Sequence, residues 1–398
     1  MKWFTLTSAA FLLCSAAAQA QIYADFSTSM GNFTCELNYT AAPKTVANFV
    51  SLAEGTRKWV DPTGTIRENT RFYDGLIFHR VFAKFMIQSG CPLGTGAAGP
   101  GYVFPDETVG GPVHEPYVLS MANATGYTNG SQFFVTVPRN PADDFLHLDG
   151  FHTVFGVVTS GRDIVDQINA VPVEGTVPMT PVVLQSVVIR RIGSQAAAFD
   201  VHAHDLPDVS VTAYNLQPDL PSYVRAVPRI ARDNRVTTFT YASEDLLTWQ
   251  LASQDYVGLA GAGDAPFPIA VRYGFGQYPE KEFYRFTDAV NSDAIVPASL
   301  AGKTLTATWS GNSLVFTFNA AGDGGTVILN GEPPRDILKI HETDSPYDLL
   351  FEISGLIPLK ISGSLTASTT TKDSGILKIS GFTNSWFLVG LGTLEITK

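Results

Sequence analysis

Cysteine is scarce, with three in 398 residues, and Cys14 falls in an N-terminal stretch that reads as removable. Cys35 and Cys91 are then left at unrelated places, which excludes a disulfide framework. Cys35 alternates with Phe33 and Leu37, so a small buried thiol is expected there, with pairing as the alternative. Charge is sparse as well. Charged residues make up 16% of the chain, and 26 Lys and Arg stand against 37 Asp and Glu, for a net charge of −11. Without a basic cluster there is nothing to neutralise a phosphate backbone, so no nucleic-acid partner is expected. No apolar run is long enough for a membrane helix. The one from Phe4 to Ala18 is short and broken by Thr and Ser. With Lys2 before it and Ala18-Gln19-Ala20 after it, residues 1–20 read as a secretory signal and the protein as exported, periplasmic or extracellular. Neither a Gly-x-Ser-x-Gly elbow nor a His-Glu-x-x-His pair occurs, so a secreted hydrolase is disfavoured. His202 and His204 have no further ligand cluster beside them, and no metal site is expected.

Thr, Val, Gly and Pro are abundant, which favours strands and turns over helical bundles. A chain of this length is expected to hold two or three domains. Ile22 to Phe26 and Asn32 to Leu37 read as a hairpin. Val46, Phe49, Val50 and Ala53 recur at helical spacing behind Pro43, which suits a first turn. A second short helix is expected over 163–170 and a closing strand over 182–192. From Ser194 to Arg232 the pattern dissolves into Pro, Asp and short polar runs, a linker or an extended wrapping segment. Residues 233–290, with Tyr241, Trp249, Phe283 and Phe286, read as a small β-module. Residues 291–398 alternate strongly between Gly, Asn and Asp turns and read as a C-terminal antiparallel sheet or barrel.

The chemistry concentrates in Gly75-Leu76-Ile77-Phe78-His79-Arg80-Val81-Phe82-Ala83-Lys84-Phe85-Met86-Ile87-Gln88-Ser89-Gly90. Alternation places Phe78 and Arg80 on one face, with Ile77, His79 and Val81 on the other. An Arg between apolar neighbours must be paired or line a cleft. Two further stretches have the same character. One runs Ser120-Met121-Ala122-Asn123-Ala124 and on through Thr128-Asn129-Gly130-Ser131-Gln132-Phe133-Phe134-Val135. The other is His147-Leu148-Asp149-Gly150-Phe151-His152-Thr153-Val154-Phe155-Gly156. In this order and spacing they resemble the cyclophilin-type peptidyl-prolyl isomerases over about residues 22–193.

The resemblance implies a closed antiparallel β-barrel with two capping helices over 21–193, and a chain ending near Gly193 is expected to fold alone. It implies rotation about X–Pro bonds in peptides and unfolded or folding proteins, without a cofactor or metal. Arg80 matches the family's catalytic Arg, and Gln88 the polar residue that orients it. Phe85, Met86, Phe134, Leu148 and His152 match the proline socket, Gln132 a substrate contact, and Ala122 and Asn123 the edge that meets an extended chain. His79 is expected to be a buried, hydrogen-bonded structural residue. His147 stands where cyclosporin-sensitive members carry Trp, so weak drug binding is expected. A non-catalytic peptide-binding or scaffolding protein using the same groove is the alternative. Mere binding does not require Arg80 with Gln88, which favours the enzyme.

Overall fold

A computed structural model describes residues 20–124, 128–138, 145, 147–211, 214–220, 223–228, 236–243, 247, 249–256, 269–272, 283–290, 300, 302–309, 312–321, 324–341, 348–353, 359–366, 372–382 and 387–397. The expected signal sequence lies outside the described residues, apart from Ala20. Among the described residues no helix is long and apolar enough to cross a membrane.

The N-terminal part is built on an antiparallel sheet of nine strands, beside two short two-stranded ribbons, Trp59–Val60 with Ile66–Arg67 and Val173–Glu174 with Val177–Pro178. In chain order the nine are β1 (Gln21–Thr28), β2 (Gly31–Leu37), β3 (Leu76–Ile77), β4 (Arg80–Phe82), β5 (Met86–Ser89), β6 (Val118–Met121), β7 (Phe133–Thr136), β8 (Val154–Ser160) and β9 (Val183–Ile192). Their order across the sheet is β3-β9-β1-β2-β8-β6-β7-β5-β4. The closed barrel expected from the sequence is corrected to a curled sheet, because no ladder joins β3 to β4. Those edges are consecutive in the chain, and Phe78-His79 alone spans the seam. Backbone groups there bond instead to the 176–182 segment: Phe78 N–H to the Val182 carbonyl at 2.9 Å and Val81 N–H to that of Thr176 at 2.7 Å. The break also overturns the expected alternation. Phe78, His79 and Val81 are all buried, while Arg80 is exposed.

The hollow of the sheet is filled by α1 (Pro43–Glu54), which has Pro at its first turn. Phe49 sits at the centre of its buried face, with ring centroids of Phe26, Tyr73, Phe133 and Phe155 between 4.9 and 5.9 Å away. Tilted and edge-on rings at such separations add to the area term of burial. The first free N–H groups of α1 have no side-chain cap of their own. Glu107 serves instead, accepting from Lys44 N–H at 3.0 Å and from Thr45 N–H at 2.7 Å. A carboxylate at a helix N-terminus satisfies orphan donors and the macrodipole together. Burial nevertheless raises the Glu107 pKa above its ordinary value, against these hydrogen bonds. Cys35 and Cys91 are both buried and unpaired.

The core does not stop at Gly193. Ala196 of α3 (Ser194–Ala197), Val201, Leu206 and Val209 are buried in the same cluster as the sheet and α1. The Phe199 ring lies 5.3 Å from Tyr39, and Arg57 donates to the Pro207 carbonyl at 2.8 Å. The stretch read as linker or wrapping segment is therefore packed over its first half. It leads into a four-stranded sheet made of β10 (Asp208–Val211), β11 (Val236–Ser243), β12 (Gln250–Tyr256) and β13 (Phe283–Val290), ordered β10-β13-β11-β12. Strands Tyr214–Leu220, Tyr223–Pro228 and Ile269–Arg272 form a separate sheet. Eight strands from Thr304–Trp309 to Phe387–Thr397 close into an up-and-down barrel, with Leu305, Ala307, Leu314 and Phe316 buried in it.

A chain cut after Gly193 should therefore melt below one cut after Pro207. Burying Val or Leu contributes about 1.5–3 kcal/mol each, and in a domain of this size about 1 kcal/mol moves Tm by 2–4 °C. A difference of about 10 °C in thermal unfolding is expected on that basis. Equal melting temperatures would show that 194–207 only rests on the surface.

Candidate active site

Register builds the site. Across adjacent strands, Arg80 pairs with Gln88, Gln88 with Phe134, and Phe134 with Ser120. Residues directly opposite in a ladder share a face. This transverse row therefore points one way, along with Met86. The intervening residues Val81, Ile87, Val135, Phe133 and Leu119 point the other way, into the main core. One face of the sheet is folding core and the other is site.

On the site face, Arg80 is exposed, and its Nη1 donates to Gln88 Oε1 at 3.2 Å. Gln88 Nε2 donates to Gln132 Oε1 at 3.0 Å. Gln132 Nε2 ends the relay by donating to the Gly96 and Ala98 carbonyls at 2.7 and 2.9 Å. Each amide thus has its oxygen and nitrogen assigned by its neighbours. Among the described residues Arg80 has no carboxylate partner, so its guanidinium is oriented without being neutralised.

Beside the relay lies a second apolar cluster, separate from the main core, of Met86, Phe134, Phe145 and Leu148, with Phe85 and Ala122 packed against it. His152 meets the Phe134 ring edge-on at 5.6 Å. Its Nδ1 lies 3.0 Å from the Met121 carbonyl, which makes Nδ1 the protonated nitrogen. His147 is exposed, with its ring 5.9 Å from that of Phe85. Asn123 donates to Asp106 Oδ1 at 3.0 Å and to the Phe151 carbonyl at 2.8 Å, which anchors the edge at Ala122-Asn123. Of the eleven residues named from the sequence, Arg80, Gln88 and Gln132 form the relay, Met86, Phe134, Leu148, Phe85 and Ala122 form or flank the second cluster, His152 and His147 meet its rings, and Asn123 holds the adjoining edge. His79 is buried as expected, but among the described residues its ring nitrogens do not reach hydrogen-bond geometry, which corrects the expected hydrogen bonding. Burial lowers its pKa, and nearby Gln132 and the Ile77 carbonyl offset this only in part.

The supports behind the row were not legible beforehand. Asn169, the last residue of α2 (Arg162–Asn169), donates to the Phe82 and Met86 carbonyls at 2.9 and 3.1 Å. It also accepts from Lys84 N–H at 2.8 Å. Lys84 holds a left-handed φ of 57° at the turn of the β4–β5 hairpin, and the bond to Asn169 secures it there. Gly90 at the end of β5 has φ 88°, and a Cβ there would lie 2.3 Å from the Ser131 carbonyl oxygen. Only glycine lets the two strand ends approach so closely. Phe145 was missed because a lone aromatic among Pro, Ala and Asp carries no periodic signal. So was His114, whose ring stacks on Phe134 at 5.9 Å and an interplanar angle of 6°. Its Nδ1 lies 2.7 Å from Asp149 Oδ1 and its Nε2 2.9 Å from Ser120 Oγ.

The comparisons concern the N-terminal part of the chain. The family described as cyclophilin type peptidyl-prolyl cis-trans isomerase/CLD matches residues 23–193. Peptidyl-prolyl cis-trans isomerase B of Streptomyces anulatus is 47% identical over 176 residues, which is 42% of this chain and 97% of that protein. The B isomerase of Bacillus subtilis (strain 168) is 50% identical over 129 residues, 32% of this chain and 76% of its relative. A solved cyclophilin type isomerase of Cryptosporidium parvum is 26% identical with a TM-score of 0.35, covering 43% of this chain and 98% of that one. The chain belongs to the cyclophilin-type peptidyl-prolyl cis-trans isomerases, and its activity is the rotation of X–Pro peptide bonds.

His114 gives the site a pH limit. Burial lowers its pKa more than the Asp149 contact raises it. The unfolded chain, with His near 6.5, therefore takes up the proton first as pH falls. Stability is fully present above about pH 6.5 and is lost as pH drops through that value toward the folded pKa. The buried His79 acts in the same direction. Tm should fall between pH 7.5 and 5.5, and His114→Gln should flatten that slope. A slope unchanged by the substitution would place the pH limit elsewhere.

Proposed function

We propose that Arg80 is the group that lowers the rotation barrier, acting on proline-containing segments of exported proteins as they fold. Amide resonance sets a barrier of about 18–20 kcal/mol. Rotation breaks conjugation, pyramidalises the prolyl nitrogen and leaves a lone pair on it. A guanidinium beside that nitrogen stabilises the twisted state more than the planar one, which is the requirement for catalysis. No bond is broken, so no nucleophile or proton relay takes part. The observation that carries this reading is the Arg80–Gln88–Gln132 relay. It fixes the fork with neutral amides and leaves the full charge for the substrate.

The socket of Phe85, Met86, Phe134, Phe145, Leu148 and His152 takes the proline ring, with Ala122 and Asn123 along the substrate chain and His147 at the rim. Export is supported by residues 1–20 and is the reason for assigning exported clients. A non-catalytic groove has no use for a guanidinium oriented in this way.

Arg80→Ala should lower the rate on an X–Pro peptide by about a hundred- to thousandfold, the loss of one well-placed donor. Because Arg80 is exposed, Tm should hardly change. Arg80→Lys should recover only part, since an ammonium lacks the planar fork. Exchange NMR beside a thermal melt checks both, and an Arg80→Ala protein that isomerises at the original rate sinks the assignment. Cyclosporin should bind weakly, and His147→Trp should tighten it by adding apolar area and an N–H donor at the rim. A titration showing tight inhibition of the unaltered protein would contradict this.

A further inference from the structure

The cleft does not end at the isomerase domain. A cavity of about 630 Å³ runs on from the relay, lined by Gln88, Gln132 and Asn123 on one side and by Phe239, Tyr241 and Trp249 on the other. The last three belong to the four-stranded module, two from β11 and one just before β12. A volume of this size suits a side chain with its backbone, and ligand clefts are typically apolar with a few placed polar groups.

The module is held against the cleft by packing. Phe239, Tyr241 and Ala289 are buried in the core cluster of the isomerase domain, with Trp249 half-buried against it. The Tyr241 ring covers the turn at Gly64 so closely that a Cβ there would lie 2.6 Å from it. That turn is itself fixed, since Asp61 accepts from Thr63 and Thr65 N–H at 2.8 and 3.0 Å and from Arg67 Nε at 2.7 Å. A glycine under one ring and a locked turn beneath it hold the aromatic wall in place relative to Gln132.

We propose that the appended module reads the substrate. Phe239, Tyr241 and Trp249 wall the cleft beside the Gln88–Gln132 pair and take a large apolar side chain from a residue flanking the isomerised X–Pro bond. The occupant follows from continuity. Gln88 orients Arg80 and also lines this cavity, so a chain with its proline in the socket has its neighbouring residues at the rings. Gly96-Ala97-Ala98-Gly99, also in the lining, carry almost no side chain, which leaves room for the incoming one. The inference rests on the isomerase reading of Arg80 and Gln88 but concerns selectivity, not rate.

The test uses the full chain and acetylated peptides containing Ala-Pro, with Ala, Leu, Phe or Trp placed on either side of that pair. Exchange NMR gives kcat/KM for each. On one side of the pair, Phe should exceed Ala by about tenfold, the scale on which apolar pockets discriminate. Trp249→Ala should cut that ratio to about two. Ala97→Leu, which narrows the cleft from the isomerase side and leaves the module untouched, should cut it too, so a Trp249→Ala protein that fails to fold does not end the test. Calorimetric binding to Arg80→Ala should keep the Phe-over-Ala preference, which separates loss of the flank site from an error in the role of Arg80. An unaltered protein without flank preference, or folded variants with the ratio unchanged, overturns the proposal. Absent preference together with a dimer in light scattering would give the cleft to a second copy and overturn it as well.

Discussion

A single pairing register holds the active face together. Arg80, Gln88, Phe134 and Ser120 are aligned across four neighbouring strands. Because side chains alternate with period two, a slip of one residue would turn the whole row into the core. The opposite face forbids that slip. Val81, Ile87, Phe133 and Val135 are buried against the rings around Phe49. The apolar core thus fixes where a charged group stands, and the position of Arg80 depends on packing it takes no part in.

Polar anchors behind the sheet complete what register begins. A hairpin with a left-handed Lys84 would fray if its carbonyls faced only solvent, and Asn169 ties three backbone groups of it to α2. On the other side of the cleft, Asn48 of α1 donates to the Gly130 carbonyl at 2.8 Å and accepts from Tyr102 at 2.7 Å. That places Ser131 and Gln132. Buried amides satisfied at both ends resist movement, because losing either partner leaves an unpaired polar group that costs about 1–3 kcal/mol. The site is rigid for the same reason that the fold is.

Much of this was legible in the sequence. The hairpin of β1 and β2, both helices and β9 follow from periodicity, with Pro43 marking one helix start. The site residues came as a set, since Arg80, Gln132 and His152 mean little apart and a good deal in order. The rest was not legible for physical reasons. Alternation through Phe78-Arg80 failed because the chain crosses between sheet edges there, and a two-residue crossing obeys no strand period. The packing of Val201 and Leu206 was hidden because isolated apolar residues among Pro and Asp look like a linker until a surface covers them. Glu107 as the cap of α1 is 62 residues from Thr45 in sequence, beyond any local capping signal. The module's aromatics were visible as a core of their own, but nothing local tells which of them faces outward to a neighbour.

The chemistry explains why such a neighbour can be added at all. Amide rotation needs one oriented cation, one apolar socket and a substrate held in place, and nothing travels beyond the prolyl nitrogen. With Arg80 in the role proposed for it, residues farther along the cleft change binding without disturbing the transition state. Interactions made equally with planar and twisted substrate alter which chains are held, and only those made in the twisted state alter the rate. The relay separates these two tasks in space. Gln88 faces Arg80 through its oxygen and Gln132 through its nitrogen, while Gln132 passes on to the loop carbonyls that border the aromatic wall. On the proposed reading, a domain packed at Tyr241 and Gly64 bears on which chains are held and leaves the group at the prolyl nitrogen alone.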